Sequence, residues 1–133
     1  MEKKRILVGE DERNILKMTA KRLQHEGYDV IGVTDGEAVV EQASAGLPIH
    51  LILLDIKLPG LNGYDVCRVL KRQATTADIP VIVFSASEGQ MQRMAERCLE
   101  VGAADWIKKP FHTKDLMAKI HQALREEGGG ANG

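Results

Sequence analysis

Apolar residues gather in five short runs, separated by longer stretches in which they recur every three or four positions. The runs are Ile6-Leu-Val8, Val30-Ile-Gly-Val33, Ile49-His-Leu-Ile-Leu-Leu54, Val81-Ile-Val-Phe84 and Trp106-Ile107. The third and fourth are almost unbroken in aliphatic residues, which marks strands buried on both faces, as in a parallel sheet. Between the runs, Ile15, Leu16, Thr19, Ala20 and Leu23 recur at helical spacing. So do Met91, Met94, Ala95, Cys98 and Leu99, and again Leu116, Met117, Ile120, Ala123 and Leu124. A further helix is expected over 37–45. On this pattern the methionines are core positions, not a metal or cofactor box.

The residues between these segments agree with the division. Gly27, Gly46 and Gly102 each follow a helical stretch, where a glycine suits the C-terminal turn. Asn62 can cap the third helix, and Thr113 with Asp115 suits the start of the last. Pro48 and Pro80 stand at or just before strand starts, where a missing N–H is tolerated. Strict alternation of strand and helix predicts an α/β fold: a doubly wound, five-stranded parallel sheet with right-handed crossovers and helices on both faces. One domain is expected over 1–127, with the Gly-rich residues 128–133 as a flexible tail or linker stub.

Composition narrows the functions. The 133 residues suit a single domain. No apolar run approaches the ~18 residues of a membrane span, and Met1-Glu-Lys-Lys-Arg5 has no signal-peptide core behind it. A soluble, cytoplasmic protein without a membrane partner is expected. With 18 basic and 19 acidic residues the formal charge is −1, which argues against a surface that binds nucleic acid directly. Cys67 and Cys98 lack metal spacing and read as small core or half-buried residues in a reducing compartment. His25, His50, His112 and His121 have no metal-like spacing either, and His50 reads as a satisfied core or edge residue.

The candidate chemistry follows the strands. The first leads into Gly9-Glu10-Asp11-Glu12, the third ends in Asp55, the fourth in Ser85, and the fifth runs into Lys108-Lys109-Pro110. In an open parallel sheet these carboxyl ends share one edge, where ligands bind. Asp11 and Asp55 come close together there, with Glu10 beside them. Two carboxylates ~4 Å apart repel by roughly 4 kcal/mol at an effective dielectric near 20. A raised pKa or a cation must offset that, and an all-oxygen cluster suits Mg²⁺, with Mn²⁺ as an alternative. Lys109 adds a positive charge and Ser85 a hydrogen-bond donor. Positioned acids, an amine and a hydroxyl suit phosphoryl transfer.

Four motifs in order carry a family resemblance: Ile6-Leu-Val-Gly-Glu-Asp-Glu12, Leu53-Leu-Asp-Ile-Lys-Leu-Pro-Gly-Leu-Asn-Gly63, Pro80-Val-Ile-Val-Phe-Ser-Ala86 and Gly102-Ala-Ala-Asp-Trp-Ile-Lys-Lys-Pro-Phe111. From about Arg5 to about Glu127 the chain resembles the receiver (CheY-like) domain of bacterial two-component response regulators. The resemblance implies a flavodoxin-like fold with strand order 2-1-3-4-5. It implies that Asp55 accepts a phosphoryl group from a histidine kinase or histidine phosphotransfer protein. It gives direct Mg²⁺ ligation to Asp11, Asp55 and the main-chain carbonyl of Lys57, with Glu10 acting through water. Ser85 is the hydroxyl that turns toward the phosphoryl group, Lys109 contacts that group, and the Lys109–Pro110 bond is cis. Trp106 is the aromatic switch, and the surface of the fourth helix, fifth strand and fifth helix meets a downstream protein. A monomer or a phosphorylation-dependent dimer is expected, either a single-domain regulator or a receiver from a longer protein, with no catalysis beyond its own phosphorylation and dephosphorylation.

Some positions depart from the family pattern. Glu10 stands where aspartate is commoner, Gly9 is smaller than usual, and Trp106 is bulkier than the usual Tyr or Phe. The side chain of Lys57 is expected at the mouth of the site, where it tunes the acyl-phosphate lifetime. Two enzymes on similar folds fit poorly. A flavin carrier needs a hydroxyl- and glycine-rich loop where Gly9-Glu10-Asp11-Glu12 stands, and an aspartyl phosphatase needs an aspartate where Lys57 stands.

Overall fold

The structure, a computed structural model, describes residues 3–85 and 91–125, with the backbone alone at 91 and 92. The expected core role of Met91 and the boundary and tail over 127–133 therefore lie outside the described residues. Five parallel strands, β1 (Arg5–Gly9), β2 (Asp29–Val33), β3 (Leu51–Asp55), β4 (Val81–Ser85) and β5 (Asp105–Lys108), form one sheet in the order β2-β1-β3-β4-β5. Five helices alternate with them: α1 (Arg13–His25), α2 (Gly36–Ala43), α3 (Gly63–Arg72), α4 (Met91–Val101) and α5 (Thr113–Leu124). This is the flavodoxin-like architecture expected from the alternation and the family resemblance.

Strand side chains alternate between the two faces, so each strand feeds two cores. Leu7, Ile52, Leu54, Val81 and Val83 point to one face, where α2, α3 and α4 contribute Val39, Val66, Cys67, Leu70, Met94 and Cys98. Ile6, Val8, Leu51, Leu53, Ile82 and Phe84 point to the other, covered by Leu23 of α1 and Leu116, Met117 and Ile120 of α5. β3 and β4 are buried throughout, as their unbroken apolar runs predict. Each such Leu or Ile contributes roughly 1.5–3 kcal/mol by burial, so these central strands are the rigid frame behind the site.

The helix ends behave as their residues predict. Gly27, Gly46 and Gly102 have φ of 100°, 100° and 82°, and the Asn62 side chain accepts a hydrogen bond from Asp65 N at 2.9 Å to cap α3. α5 begins at Thr113, but the preceding His112 gives no side-chain cap; the Thr113 hydroxyl instead accepts from the Arg22 guanidinium of α1. His50 lies one residue before β3, and its Nδ1 accepts from Arg5 N at 2.9 Å. Two helical positions differ from the apolar pattern. Leu99 is 83% exposed and Ile15 is 38% exposed. In α4 the sheet receives Met94, Cys98 and Val101, and the residue after Cys98 falls on the opposite side of the helix. Among the described residues no helix is long and apolar enough to cross a membrane.

Candidate functional site

β1 and β3 are neighbours, yet the chain leaves β1 toward β2 and leaves β3 toward β4. The strand order reverses between them, and the cleft beyond their carboxyl ends is where an α/β sheet places a ligand site. Glu10 and Asp11 follow β1, and Asp55 closes β3. One carboxylate oxygen from each of the three lies within 4.8 Å of the others. Asp11 is exposed, whereas Asp55 is 6% exposed and Glu10 1%.

Both oxygens of Asp55 are held. Oδ1 accepts from the Lys57 backbone N–H at 3.0 Å, and Oδ2 accepts from Lys109 Nζ at 2.9 Å. The loop after β3 is pinned by Gly63 N donating to Ile56 O at 2.8 Å. A Cβ at Gly63 would come 2.8 Å from the Asp55 carbonyl oxygen, so only glycine lets α3 start this close to the acid. Gly9 answers a packing demand on the β1 side: a Cβ there would meet Val39 of α2 at 2.8 Å and Leu58 at 3.3 Å.

Glu10 uses the reach of its longer side chain. Its Oε1 accepts from Lys109 Nζ at 2.7 Å, and its Oε2 accepts from the Glu12 backbone N–H at 3.1 Å. Burial pushes the Glu10 carboxyl above its ordinary range, with repulsion from Asp55 adding to it and the Lys109 and Glu12 bonds opposing it. Lys109 moves upward as well. Burial alone would lower it, but its bonds and attraction to Glu10 and Asp55 outweigh that cost. The Lys109 backbone is fixed by its N–H donating to Ser85 O at 2.8 Å, and the Lys109–Pro110 peptide is cis.

Three carboxylates facing one ammonium leave a formal charge of −2 when all are ionised (−3 from the acids, +1 from Lys109). An all-oxygen donor set with surplus negative charge fits a hard divalent cation. Glu10, Asp11, Asp55 and Lys109 thus come together as their strand-end positions predict. Ser85 ends β4 at 1% exposure. The Lys57 side chain is exposed beside the cleft. Trp106 sits on β5, opposite Val83 in register, and packs half-buried against the core beneath α3 and α4.

Phe84 is the site residue that the sequence pattern does not single out. Its ring lies beneath Lys109 Nζ, 4.8 Å from the centroid. It also meets Phe111 edge-on, with centroids 6.0 Å apart. The available signal was an aromatic closing the otherwise aliphatic run Val81-Ile-Val-Phe84.

Residues 6–121 match the response regulator receiver domain family, and the chain belongs to that family. It is 41% identical over 122 residues to the phosphate regulon transcriptional regulatory protein PhoB of Klebsiella pneumoniae, covering 92% of this chain and 52% of that one. The chain therefore spans about half the length of that relative. Among solved structures it resembles the signal receiver domain of a signal transduction histidine kinase from Syntrophus aciditrophicus. There the TM-score is 0.82 at 32% identity, covering 92% of this chain and 90% of that one. It also resembles the receiver domain of a sensor histidine kinase from Pseudomonas aeruginosa PAO1, which holds a magnesium ion in its active-site cleft. That match has a TM-score of 0.83 at 29% identity, covering 94% of this chain and all of that one. Receiver domains bind Mg²⁺ and interact with histidine kinases and downstream effectors.

Proposed function

We propose that Asp55 is the phosphoacceptor of a two-component phosphorelay, receiving its phosphoryl group from a histidine kinase or a histidine phosphotransfer protein in the bacterial cytoplasm. The observation that carries this reading is the state of Asp55: a carboxylate only 6% exposed, at the end of a buried strand, with both oxygens held by fixed donors. A nucleophile held this way needs little reorganisation before attack. One Asp55 oxygen attacks phosphorus, and the phosphorus–nitrogen bond to the donor imidazole breaks. The electron pair leaves with the ring nitrogen, which takes up a proton. Hydrolysis of the acyl phosphate later returns Asp55 and inorganic phosphate.

Asp11, Asp55 and the Lys57 main-chain carbonyl would hold Mg²⁺ directly, and Glu10 through water; the ion supplies positive charge against the phosphoryl oxygens. Lys109 supplies the fixed counter-charge, and Ser85 the hydroxyl for a phosphoryl oxygen. Phosphorylation puts a group of roughly −1.5 to −2 charge where a carboxylate of −1 stood. That charge draws Ser85, and Trp106 follows on β5. The surface of α4, β5 and α5, where Leu99 stands exposed, then changes its affinity for a downstream protein. The chain acts as a monomer or as a phosphorylation-dependent dimer, without contacting nucleic acid itself.

Incubation with a small phosphodonor and Mg²⁺, followed by intact mass measurement, tests this. A single phosphoryl adduct is expected on the wild type and none on Asp55→Asn. An adduct retained on Asp55→Asn, or absent from the wild type, refutes it.

A further inference from the structure

Lysine is a poor choice for holding a charge at one point. Its ammonium rides on a flexible four-carbon stem and is strongly hydrated. In this site Lys109 must nevertheless stay over Asp55 while the charge there changes. Two of its three N–H groups go to Glu10 and Asp55. Two hydrogen bonds leave the ammonium room to swing about them. The Phe84 ring supplies a third neighbour, its centroid 4.8 Å from Nζ and the residue only 2% exposed.

We propose that Phe84 is a positioning residue for phosphoryl transfer: its ring face holds the Lys109 ammonium over Asp55 by a cation–π contact. An aromatic face attracts the cation through its quadrupole, and the attraction strengthens where water is excluded. It offers no lone pair that would draw an N–H away from the carboxylates. Among the described residues the third N–H has no hydrogen-bond acceptor, which leaves it to a phosphoryl oxygen. The ring is rigid for three reasons. Its backbone sits in β4, in register with Asp55 of β3 and Ile107 of β5. Its carbonyl accepts from Ile56 N at 3.0 Å. Its edge meets Phe111, which follows Pro110 on the same loop as Lys109. One aromatic pair thus ties the end of β4 to the loop that delivers the lysine. An aliphatic residue at 84 would fill the core but leave the ammonium without this partner.

The inference rests on the phosphoacceptor reading of Asp55, and its test separates the two. The first measurement needs no phosphorylation. In the unphosphorylated protein the Lys109 ε-methylene protons, lying near the Phe84 ring, are expected upfield of ordinary lysine values by NMR. Phe84→Leu should return them to those values. The second is the rate of acyl-phosphate formation at saturating Mg²⁺. Phe84→Leu is expected to slow it about five- to tenfold, the range that one desolvated cation–π contact supports, whereas Phe84→Tyr stays within about twofold of wild type. Site-specific fluorination of Phe84 keeps the shape and drains the ring face, so the rate should fall stepwise with each fluorine. A merely structural role would not produce that gradient. An unshifted Lys109 signal in the wild type, a Phe84→Leu rate equal to wild type, or a flat fluorination series overturns the proposal. A wild type that shows the upfield shift but takes no phosphoryl group contradicts the phosphoacceptor reading and leaves the Phe84–Lys109 contact established.

Discussion

At the scale of single residues, the site shows how little of an electrostatic arrangement is visible in a list of acids. The positions of Glu10, Asp11, Asp55 and Lys109 follow from strand ends. That Glu10 bonds Lys109 directly, 99 positions away, follows only from side-chain reach in the folded chain. Lys57, like Asp11, is exposed beside the cleft. Surface charges act weakly, at 0.2–1 kcal/mol, so Lys57→Ala should shorten the acyl-phosphate lifetime only about two- to fivefold. An unchanged autodephosphorylation rate would remove Lys57 from the account. The two thiols give a second residue-scale test. Burial pushes both Cys67 and Cys98 from 9.0 up to about 11. For an acid whose folded pKa is raised, the folded state favours the protonated form. Its contribution is intact below pH 9 and is lost as pH rises from 9 toward 11, because the unfolded chain ionises first. The unfolding free energy measured in urea should therefore fall between pH 8 and pH 10, by about 1 kcal/mol per thiol. The Cys67→Ala/Cys98→Ala double variant should lose less over the same interval.

At the scale of elements, β3 and α3 form the unit that presents Asp55. Asn62 caps α3, and Gly63 lets the helix start against the Asp55 carbonyl. Asn62→Ala should cost about 1 kcal/mol in chemical denaturation, with Asp55 still able to take a phosphoryl group, because the contact at Gly63 is untouched. A variant with unchanged stability would show that Asn62 does not cap α3 in solution. Elements were legible in the sequence where one physical cause dominated. Unbroken aliphatic runs gave β3 and β4, and glycines at positive φ marked the helix ends. Legibility failed where tertiary contacts decide. Leu99 fits the helical spacing of Met94 and Cys98 yet faces outward, since α4 packs on one side only. Thr113 looks like a cap, but its hydroxyl serves Arg22 of another helix. Phe84 reads as one more strand residue until the fold brings Lys109 above it.

At the scale of the whole molecule, two cores on either side of one sheet back the charged cleft, and the strands at the two sheet edges are less deeply buried than the centre. β2 and β5 flank the buried centre, and β5 carries Trp106 in a half-buried position between core and surface. Emission from Trp106, the only tryptophan, should change when Mg²⁺ and a phosphoryl analogue such as beryllofluoride are added, and the change should vanish in Asp55→Asn. Constant emission would mean that the edge strand does not report the state of the cleft. Everything downstream of the cleft follows from which residue takes the phosphoryl group. Borohydride reduction of the phosphorylated protein converts an aspartyl phosphate to homoserine, which peptide mass mapping locates to a residue. Homoserine at position 55 alone is the predicted result; an intact Asp55, or homoserine at Asp11 or elsewhere, would contradict the account.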